Sequence, residues 1–150
     1  MDWDEYIKWG KEAVVWGSEY RQNLRNYPVR SQNKPGETFN SIPSNPPENP
    51  ESIEQIFDDF KKIILPGVTH WQHPRFFAYF PANAAPASVF AEILSNTMGL
   101  QCMLWQTSPS ATELEEKVIE WLRISLNIPK GFGGIIQDTA SSATLTAILT

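Results

Sequence analysis

Apolar positions between residues 3 and 24 recur at helical spacing. Trp3, Tyr6, Ile7, Val14, Tyr20 and Leu24 form one stripe, and Trp9, Ala13 and Trp16 form a second beside it. Together they make an arc wider than a single core contact needs. The pattern predicts a helix with two neighbours, one of which can be another subunit; burial within its own core is the alternative. Ile53, Ile56, Phe57, Phe60, Ile63 and Ile64 mark a second helix, opened by Ser52 with Gln55 three residues on and closed by Pro66 and Gly67. A third is predicted over 86–98, with Phe90, Ile93 and Leu94 inward and Gly99 as its stop. A fourth starts at Ser108 and Pro109, with Ser110 and Glu113 offering a capping box and Leu114, Val118, Trp121, Leu122 and Ser125 as its stripe. The run Gly134, Ile135, Ile136, Gln137 predicts a short buried strand, and a helix begins near Ala140.

Between the first two helices, residues 27–50 carry Pro28, Pro35, Pro43, Pro46, Pro47 and Pro50. Proline removes a backbone donor and restricts the residue before it, so an ordered arm without regular elements is expected.

Composition narrows the function classes. The chain has 150 residues, 41% of them hydrophobic and 19% charged, which suits a globular domain. A net charge of −5 argues against nucleic acid as the main partner, which would require a Lys/Arg surplus. No polybasic run and no long apolar run points to a membrane. The single cysteine, Cys102, cannot form an internal disulfide and reads as a buried small hydrophobe. The acidic first residues do not resemble a secretory leader, so the expected compartment is the cytoplasm.

Two stretches carry candidate chemistry. In 69–86, Trp71, Phe76, Phe77, Tyr79 and Phe80 crowd together, and Pro74 and Pro81 exclude a helix. Such a stretch is either a core edge, the commoner outcome on composition, or a pocket wall for a flat apolar ligand. His70 and His73 lack a third ligand of convincing spacing, so no metal is expected. The strand–loop–helix ending in Thr139, Ala140, Ser141 and Ser142 could present unpaired N–H groups and hydroxyls to a phosphate. Plain N-capping by Thr139 or Ser141 is the commoner explanation of that pattern alone. No Gly-x-Gly-x-x-Gly or Gly-x-x-x-x-Gly-Lys accompanies it.

Three segments, "LPGVTHWQHPRFFAYFPANAAPASVFAEIL", "SPSATELEEKVIEWL" and "GIIQDTASSATLTAIL", resemble the group II pyridoxal-phosphate-dependent decarboxylases of the aromatic-L-amino-acid type. The wording "QDTAS" looks more like the bacterial branch. The resemblance implies an α/β fold of type I, aspartate aminotransferase-like, and a homodimer clasped by the N-terminal helices. This piece would be mostly α: a helical flap over 1–85, then the beginning of the cofactor-binding large domain over 86–150. It implies pyridoxal 5'-phosphate held by Thr139, Ala140 and Ser141. It also implies a substrate pocket taking Trp71, Tyr79, Phe80, Pro81 and Ala82, with Gln101 and Met103 reaching the partner's site. Animal members carry apolar and aromatic residues where Gln101 and Met103 stand, and Thr where Ala82 stands, so the ring pocket is altered.

Family members are several-fold longer. The lysine that holds the cofactor, the aspartate at its pyridine nitrogen and the histidine stacked on it lie beyond the matching end. No catalytic residue is therefore expected in this chain, which by itself should be inactive. The expected whole is a carboxy-lyase acting on a small, aromatic amino acid. The alternative is an inert chain that serves only as a helical dimerisation module.

Overall fold

The computed structural model describes residues 2–80 and 84–150. The chain forms two compact units, Met1–Ala85 and Pro86–Thr150. Every regular element among the described residues is helical.

In the first unit, α1 spans Trp3–Gln22. The Asp2 carboxylate accepts the Glu5 N–H at 2.8 Å, and Asp4 and Glu5 place negative charge at the positive end of the helix dipole. A short 3-10 turn, Leu24–Asn26, follows and buries Leu24. Helix α3 spans Ile53–Asp59, capped by the Ser52 hydroxyl on the Gln55 N–H at 3.2 Å. It continues as a π-helical turn, Phe60–Ile64, and a 3-10 turn, Leu65–Gly67.

The two stripes of α1 have different fates. Trp9 and Trp16 meet Phe57 edge-on with centroids 6.1 Å apart in both pairs, and Trp16 meets Phe60 at 5.1 Å. The second stripe thus finds its neighbour inside its own unit. On the first stripe, Trp3, Ile7 and Val14 stay exposed, whereas Tyr20 and Leu24 turn inward.

The arm over 27–50 is not free of regular structure, contrary to the proline pattern. It contains one short helix, α2, at Glu37–Ser41. Six consecutive residues, 37–42, contain no proline, and Gly36 at φ +84° makes the left-handed turn into them. The Glu37 carboxylate accepts the Lys34 N–H at 2.9 Å and fixes that turn.

In the second unit, α4 spans Pro86–Met98 and ends at Gly99, whose φ of +58° suits the left-handed stop. Phe90, Ile93 and Leu94, expected inward, are exposed. Helix α5 spans Pro109–Ser125. Pro109 takes its first position, so Ser110 lies inside the helix and cannot cap it with Glu113. Glu113 instead accepts the Trp105 indole N–H at 3.1 Å. The expected strand over 134–137 forms no ladder, because a strand needs a neighbour to take its N–H and C=O groups. Its Ile136 N–H donates to the Glu115 carboxylate of α5 at 2.9 Å. Gly134 lies so close to α5 that a Cβ there would stand 3.1 Å from Ile119 Cγ2. Helix α6 spans Ala140–Leu149.

Candidate active site

The aromatic segment of the first unit is tied down through two histidines. The His70 N–H donates to Val29 O at 2.9 Å, and a 2.7 Å hydrogen bond joins Tyr20 Oη to His70 Nδ1. The Tyr27 ring lies 4.9 Å from the imidazole. Burial, with a smaller repulsion from His73, pushes the His70 pKa down. Burial, followed by Tyr27, pushes the Tyr20 phenol up. These contacts connect α1 to residues 50 positions away.

His73 sits at the centre of the next turn. Its N–H donates to His70 O at 2.9 Å, and its carbonyl accepts the Phe76 N–H at 2.9 Å. Its Nδ1 accepts the Arg75 N–H at 3.0 Å. His73 is only 3% exposed, and its Nε2 is buried without a partner among the described residues. The turn stacks Trp71 on Phe76 at 5.0 Å and on Tyr79 at 5.5 Å. Tyr79 adopts φ +55°, unusual for a residue with a ring, which costs about 1 kcal/mol or more. Tyr79 is nonetheless 88% exposed, and Phe80 is 94% exposed. The segment is therefore a surface-facing stack rather than the core edge favoured by composition. Pro81 and Ala82 lie outside the described residues.

In the second unit, Gln101 and Met103 lie in the exposed segment between α4 and α5. Cys102 is exposed there, contrary to the buried position expected of it.

The mouth of α6 is built from its own hydroxyls. Thr139 Oγ1 accepts the Ser142 N–H at 3.2 Å, and the Thr139 N–H donates to Ser142 Oγ at 3.3 Å, a reciprocal capping box. Ser142 Oγ also donates to the Asp138 carboxylate, which holds that carboxyl below its usual range. The cap thus takes Thr139 and Ser142. Ala140 and Ser141, the first two helical residues, have N–H groups that no preceding helical carbonyl reaches. The Ser141 hydroxyl stands outside the capping box.

A pyridoxal-dependent decarboxylase conserved domain matches residues 35–150. The chain belongs to the pyridoxal-dependent decarboxylase family. A phenylacetaldehyde synthase of Arabidopsis thaliana is 40% identical over 155 residues, spanning 99% of this chain and 32% of its own length. A solved Catharanthus roseus tryptophan decarboxylase, in complex with L-tryptophan, is 37% identical with a TM-score of 0.92, over 99% of this chain and 33% of that one. The Oryza sativa TDC with PLP and tryptamine is 29% identical with a TM-score of 0.91, over 99% of this chain and 34% of that one. The chain thus spans about a third of the length of these relatives. Its fold is the mostly helical part of a type I pyridoxal-phosphate enzyme. These relatives are plant proteins, and the expected nearness to the bacterial branch finds no support in them.

The family's cofactor carries a phosphate, and the α6 mouth has the donors for one. Two backbone N–H groups and one hydroxyl remain outside the cap, at the positive end of the helix dipole. The Asp138–Ser142 bond and the Tyr20–His70 tie were not legible in the sequence. The first is local but depends on a rotamer, and the second joins residues too distant for any spacing rule. The role of His73 did have a signal: a side-chain acceptor immediately before a proline is a turn pattern.

Proposed function

We propose that this chain is the amino-terminal third of a pyridoxal-phosphate-dependent decarboxylase that converts an aromatic L-amino acid to its amine and CO₂. The observation that carries the reading is the α6 mouth, which leaves Ala140 and Ser141 free of the cap in a chain of this family. There the Ala140 and Ser141 N–H groups and the Ser141 hydroxyl hold the cofactor's phosphate, and the Thr139 hydroxyl shapes the turn that presents them. When bound, the cofactor supplies the sink for the electron pair left as CO₂ departs.

The stack of Trp71 and Tyr79, with Phe80 after it, supplies a flat wall against which an aromatic side chain is oriented and shielded from water. Gln101 and Met103 line the same kind of pocket in the partner of a homodimer, whose clasp is the open stripe of α1. Residues 1–85 then form the flap and 86–150 open the large domain. Among the described residues no helix is long and apolar enough to cross a membrane. The lone cysteine agrees with a cytoplasmic enzyme.

The test uses the full-length protein reconstituted with pyridoxal phosphate and assayed with tryptophan, tyrosine and phenylalanine. Release of CO₂ with formation of the amine supports the reading; an aldehyde in place of the amine corrects the product. No turnover of any aromatic amino acid overturns it. Ser141→Asp sets a carboxylate against the phosphate and should weaken cofactor retention by roughly tenfold or more, about 1.4 kcal/mol. Undiminished cofactor absorbance after dialysis would remove Ser141 from the phosphate site.

A further inference from the structure

The turn that carries the aromatic stack depends on one side-chain acceptor. Arg75 follows Pro74, and its N–H points back into the turn, where His73 Nδ1 accepts it at 3.0 Å. The bond spans two residues, the spacing at which Asn, Asp and Ser close a turn on their own backbone. His73 also fixes both ends of the turn through its backbone, to His70 O and from the Phe76 N–H. Trp71 and Phe76, stacked 5.0 Å apart, lie on either side of it, and Tyr79 adds its ring to the other stack on Trp71. Tyr79 holds a left-handed backbone against its own preference, so the arrangement needs a firm base.

With Nδ1 accepting, a neutral imidazole carries its proton on Nε2, which is buried without a partner among the described residues. The hydrogen bond that the structure gives the ring is therefore the one at Nδ1, on the Arg75 N–H.

We propose that His73 is a positioning residue for substrate: through Nδ1 on the Arg75 N–H it sets the turn that aligns Trp71 and Tyr79 against an aromatic side chain. The inference rests on the wall described under Proposed function. What the position requires is an acceptor two residues before the Arg75 amide, not an imidazole. The role is carried by geometry and touches neither the cofactor nor the reacting atoms.

The experiment compares His73→Asn, His73→Ser, His73→Ala and His73→Leu in the full-length holoenzyme, with Trp71→Ala beside them. Asn and Ser keep the acceptor, so KM for the aromatic amino acid should stay within about twofold of the parent. Ala and Leu lose it, and KM should rise by about threefold or more with kcat and cofactor occupancy unchanged, the signature of lost ground-state positioning. The inference is overturned if Asn and Ser behave like Ala, or if Ala leaves KM unchanged while Trp71→Ala raises it. If Trp71→Ala itself leaves KM unchanged, the wall reading fails. The turn is then judged by hydrogen exchange of the Arg75 amide, which the Asn and Ser variants must keep as slow as the parent. The same exchange measurement decides the matter if the Ala and Leu variants do not fold: a fast Arg75 amide in the Asn and Ser variants overturns the inference.

Discussion

At the scale of single residues, the best-defined group is His70, 2% exposed and hydrogen-bonded to Tyr20. Tyr27, Arg21 on the Tyr20 side and His73 are the charged or titratable groups around this pair. Its folded pKa is lowered, so the unfolded chain binds the proton more readily. The contribution of His70 to stability is then complete above the ordinary histidine pKa of about 6.5 and is lost as pH falls below it toward the lowered folded value. Urea midpoints of the full-length protein should drop between pH 7.5 and 5.5, and the drop should shrink in His70→Gln. An equal drop in both would assign the pH dependence to other groups. The sequence announced both histidines but only as a weak metal pair. Their use as a tether and a turn cap depends on Tyr20 and Arg75, and only the folded backbone brings the first of these near.

At the scale of elements, close approach makes testable demands. A Cβ on Gly67 would stand 2.8 Å from Thr38 Oγ1, on the helix that the proline-rich arm was not expected to contain. Thr38 Oγ1 is itself held by the Asn33 amide at 3.0 Å, so it cannot simply swing away. Gly67→Ala should therefore destabilise the protein by about 1–3 kcal/mol, read as a lowered thermal midpoint. Gly17, inside α1, has nothing within 4 Å of an added Cβ. Gly17→Ala should stabilise by roughly 0.5–1 kcal/mol through helix propensity alone. A loss of stability instead would show that the face is covered closely by a second subunit. Helix positions were legible because apolar period, Pro at helix starts and Gly at helix ends act locally. The 134–137 strand was not, because its apolar run states only a capacity for pairing. Pairing requires another strand, and here Glu115 takes the free N–H.

At the scale of the whole molecule, large apolar side chains stay open in both units: Trp3 at 78%, Phe77 at 91%, Ile148 at 75% and Leu149 at 76%. Surfaces of this kind mark sites of association. The chain spans about a third of its relatives' length. Residues 1–150 expressed alone should bind the dye ANS strongly and sediment as aggregates, and the full-length protein should do neither. A monomeric, dye-silent 1–150 would instead mean that the chain is self-sufficient. Family and fold class were legible from three motif segments, since their residue order is specific. The exposure of the aromatic stack was not, because a stack of rings reads the same whether it lines a core or a surface.

The arm between α1 and α3 has a practical consequence for handling the protein. From Pro35 to Phe60 there is no lysine or arginine, although this is a largely exposed stretch. Trypsin therefore has no target in it, whereas a glutamate-specific protease meets Glu48 and Glu51 in the exposed proline-rich part. A nick there would cut the backbone without touching the rings by which Trp9 and Trp16 grip Phe57 and Phe60. The two pieces should still travel together on a sizing column, making the arm a suitable point at which to open the chain or insert a label.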